Sequence, residues 1–320
     1  MPAGRARTVL LQALLLALLV ALAALLVAST AEHLRERGIR SGFDFLWQEA
    51  GFSLSETVFP FSADDSALQA FIAGWLNTLR VAIPAALLAL LLGLLVGFSR
   101  LSRNFLLRSL ARLYVEAFRN VPLLLLLLAC YFVLTDVLPP ADQALKFASG
   151  FYLSKAGFAL PWWVDGALEL PQPGRFGLEG GARLTPEYLA MLCGLLLYTA
   201  AYIAETIRAS VQALPVGQTW AARALGMTPL QVFRLVLLPQ AWRAALPPIT
   251  SQLLNLFKNA SLAVVIGYPD LVSVAGTTLN QTGRAIECIV IVIGVYLTLS
   301  LLLAALSRFL ERRNLRAALP

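Results

Sequence analysis

Histidine and lysine are nearly missing from this chain: one histidine, His33, and three lysines, Lys146, Lys155 and Lys258, occur in 320 residues. The first scarcity removes the side chain that most often moves protons near neutral pH, so histidine-based catalysis inside a membrane is not expected. The second removes the phosphate-binding loop. No Gly-x-x-x-x-Gly-Lys-Ser/Thr segment exists and none of the lysines follows a glycine, so the chain does not bind ATP in that manner by itself. Cysteine is equally sparse. Cys130, Cys193 and Cys288 each lie in a long apolar run, which points to neither a disulfide framework nor a metal site. Paired carboxylates inside the apolar runs, as proton relays use, are also missing. The acids between the runs, such as Asp64-Asp65 and Asp136, have no histidine beside them, so a lipid-acting enzyme lacks its acid/base or metal cluster. No cofactor and no metal is expected.

What the chain does have is apolar length. Apolar residues make up 59%, charged residues only 13%, and the mean hydropathy is +0.75, well outside the range of soluble domains. The net charge of +7 is read as a topology signal, because no segment presents arginines and aromatics on a soluble face for nucleic acid. A spanning helix needs roughly 20 mostly apolar residues. Six segments qualify, at about 8–28, 72–98, 106–137, 187–208, 245–268 and 286–307. The first could instead be a signal peptide, with Arg5 and Arg7 before it and small residues after it. Its apolar region exceeds the usual 7–15 residues, which favours an uncleaved span.

Arginines gather in three places: Arg100, Arg103, Arg108 and Arg112; Arg208, Arg223, Arg234 and Arg243; and Arg308, Arg312, Arg313 and Arg316. Those segments, with both termini, are therefore expected on the cytoplasmic side, although Arg35, Arg37 and Arg40 fall opposite. Two long outer loops complete the chain. Residues 41–68 carry Phe43 to Trp47 and Phe59-Pro60-Phe61, expected to lie partly buried or at the interface. Residues 138–184 hold Pro161-Trp162-Trp163 and a Gly/Pro-rich tail, the tryptophans reading as an interfacial anchor. The expected division is residues 1–70 for the first helix and first outer segment, 71–311 for the main membrane domain, and 312–320 for a tail. The main domain carries the insert at 138–184 and a loop at 209–243. The fold class is all-α integral membrane protein.

The loop is the most informative local pattern. Between Pro215 and Pro239 it reads as two short helices joined by a hinge. Gly226 stands where a helix ends in a left-handed residue. Thr228, Pro229 and Gln231 supply an N-cap, a first-turn proline and a capping-box partner. Pro239 is expected to stop the second helix. Ala221, Ala222 and Ala224 are small enough for another surface to come close, the geometry of a docking knuckle. With no energy source of its own, the chain must receive one there from a partner.

Polar residues inside the spans mark a second site. Asn255, Lys258, Asn259 and Leu262 follow i, i+3, i+4, i+7 spacing and share one helix face. A mid-span lysine costs on the order of 2.5–3.5 kcal/mol on insertion scales, so Lys258 is expected to face a pathway or another helix, with snorkelling as the alternative. Glu116, Arg119 and Asn120 precede Pro122. Glu116 and Arg119 either pair at i, i+3 near the membrane surface or take part in gating.

Together these residues carry a family resemblance. Tyr202-Ile-Ala-Glu-Thr-Ile-Arg-Ala-Ser210, Gly217-Gln-Thr-Trp-Ala-Ala-Arg-Ala-Leu-Gly226 and Leu238-Pro-Gln-Ala-Trp-Arg243 resemble the EAA loop of ABC importer permeases of the polar amino-acid uptake family. Tyr114 to Pro122, Asn255 to Leu262 and Leu76-Asn-Thr-Leu79 are similar to that family's span motifs. The extra first span and large second outer loop are like the general L-amino-acid permease subset. The resemblance covers about residues 70–310. It implies a type I importer permease fold in the bacterial inner membrane, a cytoplasmic ABC ATPase dimer, a second permease subunit, a periplasmic amino-acid-binding protein and an L-amino-acid substrate. Gly217, Gln218, Trp220, Ala221, Ala222, Leu225 and Gly226 would occupy the coupling helix. Asn255, Lys258, Asn259 and Glu116 are candidates for the substrate pathway. One position departs: Trp220 stands where the family has glutamate, which leans toward a heterodimer in which the sister subunit makes the stronger ATPase contact. The alternative is a secondary transporter or channel for small polar solutes that needs no ATP.

Overall fold

The computed structural model describes residues 42–316 apart from 165, 175 and 176, together with parts of the stretch 11–32. Arg5, Arg7, His33, Arg35, Arg37 and Arg40, much of the expected first span at 8–28, the side chains of 310–316 and residues 317–320 lie outside the described residues. In chain order the helices are α1 (Ala67–Arg100), α2 (Phe105–Asn120), α3 (Leu123–Phe132), α4 (Pro186–Gln212), α5 (Val216–Ala224), α6 (Pro229–Gln231), α7 (Leu238–Asn259), α8 (Leu271–Thr282) and α9 (Ala285–Arg316). Four runs among the described residues are long and apolar enough to cross a membrane: α1, α4, the continuous stretch Pro229–Ile266, and Ala285–Phe309 of α9. The bent pair formed by α2 and α3 supplies a fifth.

α1 starts in a capping box, Ser66 accepting from the Gln69 N–H while the Gln69 side chain reaches back to the Ser66 N–H. One face of α1 is built from Ala70, Ala73, Gly74, Ala82, Ala85, Ala89, Gly93 and Gly97, all buried. Such a face lets a neighbouring backbone approach closely, which is how helices associate where lipid leaves little hydrophobic driving force. α4 lies along it, entering through the Thr185 N-cap on the Tyr188 N–H and Pro186 in the first turn. Leu195, Ile203 and Ile207 of α4 and Leu256 of α7 sit at the centre of the core with α1. α3 seats Leu127 against Gly194 on the same helix.

Three expectations at the level of helices are corrected. The run 106–137 is not one straight span, because α2 and α3 meet at 104°. Val121 is extended there (φ −97°, ψ 130°), as the residue before a proline prefers, and Pro122 opens the new helix. Pro239 does not stop a helix. Residues Val232–Leu237 form a π-turn, and the Leu238 N–H reaches the Phe233 carbonyl five residues back. The wider turn absorbs the hydrogen bond that Pro239 cannot make, so the chain runs on through α7. The span expected at 245–268 consequently begins well before residue 245 and ends in a 3₁₀ stretch, Ala260–Ile266, closed by left-handed Gly267.

The outer segments have more structure than loops. Residues Asp44–Trp47 form a 3₁₀ turn that buries Phe45 while Trp47 stays exposed. Arg284 holds this turn from the foot of α9, pairing with Asp44 at 3.1 Å and donating to the Gly42 carbonyl at 3.0 Å. Glu56 bridges to Arg80 of α1 at 2.7 Å and accepts from Thr185 at 2.7 Å, so the segment straps α1 to α4. The insert 138–184, expected as a loop, is a set of short antiparallel strands. β1 (Leu145–Ala148), β2 (Phe151–Ser154), β3 (Gly157–Leu160) and β8 (Ala182–Leu184) make one sheet. β4 (Trp162–Val164) with β5 (Ala167–Glu169), and β6 (Gln172–Gly174) with β7 (Gly177–Glu179), make two hairpins. Trp162 and Trp163 are both exposed on the β4–β5 hairpin, Trp163 opposite Leu168. The membrane part is all-α, as expected.

Candidate coupling surface and translocation face

The knuckle forms as its local chemistry dictates. α5 ends at Leu225, and Gly226 takes φ +79°. The Gly226 N–H donates to the Arg223 carbonyl at 2.9 Å and the Met227 N–H to the Ala222 carbonyl at 3.2 Å, the crossed pair of a Schellman closure. Thr228 then caps α6, accepting from the Gln231 N–H at 3.4 Å while its own N–H donates to the Gln231 side chain at 2.8 Å. Ala222 is buried against the π-turn that follows, which locks the two short helices together. Of the other motif residues, Gly217, Trp220, Ala221, Leu225 and Gly226 are exposed and Gln218 is half-buried. Val216, Trp220, Leu225 and Leu230 project as large apolar side chains into solvent, Trp220 at 68% and Leu225 at 83% exposure. Apolar groups this prominent on a short capped unit make it a candidate contact surface. A groove of about 570 Å³ separates the knuckle from the α1–α2 turn, with Leu101 and Arg103 on one wall and Thr219, Arg223 and Phe233 on the other.

Immediately above the knuckle is a cluster to which the sequence reading gave no role. Glu205 of α4 takes both Nε (3.0 Å) and Nη2 (2.5 Å) of Arg208. It also accepts from Arg100 at the end of α1, and Arg119 at the end of α2 stands 3.8 Å away. Arg119 lies over the Tyr202 ring at 5.1 Å, and Tyr114 donates to the Leu197 carbonyl at 2.8 Å. One carboxylate thus gathers guanidinium groups from the ends of two other helices onto α4, seven residues before that helix ends at Gln212 and the chain turns into α5. The signal for it was present: a glutamate and arginine at i, i+3 inside an otherwise apolar run.

Of the two readings of Glu116 and Arg119, the i, i+3 pair does not form. Glu116 bonds Arg112 at 2.7 Å on its own helix, the i, i+4 partner, while Arg119 turns to Glu205. Glu116 is exposed on α2, which packs on α1 and α4. The structure therefore does not join it to the α7 candidates. On α7, Asn255 and Lys258 are exposed and Asn259 is half-buried. Ser251 continues the exposed row one turn earlier, giving a polar stripe at i, i+4, i+7 on a membrane helix. Neither Asn255 nor the Lys258 ammonium has a side-chain partner among the described residues, and these residues contain no group of side chains suited to hold a metal ion.

Residues 89–316 match the family described as binding-protein-dependent transport system inner membrane component. The chain belongs to this family. It is a membrane transport subunit and not an enzyme, and its fold is that of a type I ABC importer permease. The permease is 36% identical to the general L-amino acid transport system permease protein AapQ of Rhizobium johnstonii, over 98% of this chain and 92% of the relative. It is 37% identical to the putative amino-acid ABC transporter permease protein YhdX of Escherichia coli (strain K12), over 96% of this chain and 94% of the relative. A chain from the crystal structure of an amino acid ABC transporter with histidines superposes on the permease with a TM-score of 0.59 at 27% identity, covering 77% of this chain and 94% of its own.

Proposed function

We propose that this permease is the membrane-spanning subunit of an ATP-driven importer for L-amino acids, coupled through residues 209–243 to a separate cytoplasmic ABC ATPase dimer. The observation that carries the reading is the knuckle: a double-capped helical unit that exposes Trp220 and Leu225 and is attached to α4 just below the Glu205 cluster. ATPase closure would push α5. Because Glu205 ties α1, α2 and α4 together, the push moves several spans as one body instead of bending a single helix. The polar stripe of Ser251, Asn255 and Lys258 then lines half of a path whose other half a second permease subunit supplies. Lys258 gives that path a positive charge suited to a carboxylate. The amino-acid relatives support the substrate class. The orientation follows the arginines, with the insert 138–184 facing a periplasmic binding protein and both termini cytoplasmic. The proposed organisation remains residues 1–70, 71–311 and 312–320.

Trp220 shapes the partner reading. Glutamate at this position offers the ATPase a charge, whereas tryptophan offers a broad apolar plate and one N–H donor. An asymmetric pair, with the sister permease carrying the charged contact, accommodates the change. Purification of the tagged chain in mild detergent tests the proposal. A stoichiometric P-loop ATPase and a second permease should co-purify, with ATP hydrolysis stimulated by an amino-acid-loaded binding protein. Trp220→Glu should preserve or strengthen ATPase association. A homo-oligomer free of ATPase from several detergents would overturn the reading and favour transport on an ion gradient.

A further inference from the structure

α2 divides its surface three ways. Ala111, Tyr114, Val115 and Phe118 face α1 and α4, with Ala111 and Val115 buried. Arg108, Arg112, Glu116 and Arg119 form a charged row at i, i+4, i+8, i+11. Leu106, Leu110, Leu113 and Ala117 form a second exposed row at i, i+4, i+7, i+11, and it is entirely apolar, Leu106 and Leu113 each being 65% exposed. On a helix of 3.6 residues per turn the apolar and charged rows lie about 135° apart, on separate faces. The bend of 104° to α3 sets this helix crosswise to the helix that follows, so α3 can stand in the membrane only if α2 lies close to the membrane plane.

We infer that α2 is an in-plane anchor: its Leu106–Leu110–Leu113 row sinks into the leaflet on the arginine-rich side, and Arg103 and Arg108 bind phosphodiester headgroups of anionic phospholipid. The charge argues for lipid over a protein cover. Five arginines against one glutamate lie between residues 100 and 119. Arg100 and Arg119 are occupied by Glu205, and Arg112 by Glu116. The guanidinium groups of Arg103 and Arg108 have no ion pair or hydrogen bond among the described residues and remain for an anion outside the chain. A short amphipathic helix with a basic polar face and an apolar row is the pattern that binds an anionic membrane surface. The inference needs only that α3 stands in a bilayer, so it stands or falls separately from the ATPase coupling.

Spin-label accessibility on the full chain tests it. In a background of Cys130→Ala, Cys193→Ala and Cys288→Ala, single labels enter through Leu106→Cys, Leu110→Cys, Leu113→Cys, Arg108→Cys or Arg112→Cys, in nanodiscs containing phosphatidylglycerol. Labels at 106, 110 and 113 should be relaxed by oxygen and shielded from an aqueous nickel chelate, and those at 108 and 112 should show the reverse. Nickel access at all five positions overturns the inference, and so does shielding of 110 and 113 from both reagents, which would mean a protein covers the row. If the cysteine-free background does not fold, native mass spectrometry of the parental chain provides the second measurement. It should retain phosphatidylglycerol over phosphatidylcholine, and Arg103→Gln with Arg108→Gln should cut that preference by at least about fivefold. An unchanged preference overturns the assignment of the headgroup site.

Discussion

The close packing of α1 on α4 can be tested with one methyl group. A Cβ added at Gly93 of α1 would lie 2.6 Å from Cγ2 and 2.7 Å from Cβ of Ile203, and 3.0 Å from the Ala200 carbonyl oxygen on α4. None of these is the free end of a flexible side chain, so α1 and α4 must separate or Ile203 must leave its rotamer. Overpacking of this kind costs about 1–3 kcal/mol. Alanine recovers about 0.5–1 kcal/mol of it through helix propensity. Gly294 of α9 is the control, since a Cβ there meets nothing within 4 Å, and Gly294→Ala keeps the propensity gain alone. The two variants should differ by about 2 kcal/mol, which corresponds to roughly 3 °C in melting temperature for a chain of this size. A maleimide dye reacting with Cys130, Cys193 and Cys288 as they become exposed on heating in detergent provides the assay. Gly194→Ala should fall between the two, because the 2.5 Å neighbour of its Cβ is the mobile Cδ2 of Leu127. Adding Ile203→Ala to Gly93→Ala should recover part of the loss, a coupling that a double-mutant cycle measures. Equal melting temperatures for Gly93→Ala and Gly294→Ala would refute the α1–α4 spacing described above.

Glu205→Gln should leave Arg100, Arg119 and Arg208 facing one another. The expected cost is about 1–3 kcal/mol, below that of a fully buried pair because the carboxylate is partly exposed. Transport should fall further than melting temperature if the cluster moves the spans together, and equal effects would confine it to stability. Gly226→Val forces a β-branched residue to φ +79°, with no clash to complicate the result, while Gly226→Asn tolerates that backbone. Uptake should be lost in the first and largely kept in the second, and parental uptake by Gly226→Val would refute the docking geometry. Asp270 caps α8 through the Ser273 N–H at 2.8 Å, yet it is fully buried and its second oxygen has no partner among the described residues. Burial pushes its carboxyl up to about 7. A raised value means the fold binds the proton more tightly than the unfolded chain does. The stabilisation is therefore complete below the ordinary carboxylate range and is lost as pH rises through about 7. Asp270→Asn should flatten the dependence of melting temperature on pH between about 4 and 8, and an unchanged slope would remove Asp270 as its source.

The parts legible in the sequence were those whose causes lie within a few residues. Gly226, Thr228 and Gln231 close one helix and open the next by bonds spanning at most five positions, so their pattern predicts their geometry. The bend at Val121 was legible by the same logic, from Pro122, but a long run of leucines favoured a single span. Pro239 misled because a proline reports only the hydrogen bond it cannot make, and the π-turn that absorbs the loss depends on packing against α5. The strands of the insert are three or four residues long, too short for alternation to show. Glu205 and Arg208 form a local i, i+3 pair, but Arg100 and Arg119 arrive from other helices, and only the fold reveals that one carboxylate holds all three.

The same distinction explains why the candidate pathway residues on α7 stand without side-chain partners among the described residues. Asn255 and Lys258 were found from spacing alone, and the structure leaves both exposed on α7 without a side-chain partner among the described residues. A charged group in a membrane helix persists where protein or water faces it, because lipid makes it expensive. Within this chain Arg80 shows the usual remedy, pairing with Glu56 and lying over the Tyr188 ring. Among the described residues Lys258 has neither a carboxylate nor an aromatic face. On the proposed reading a second subunit completes the stripe, and the cost of stranding Lys258 in lipid would then oppose a lone permease in the membrane.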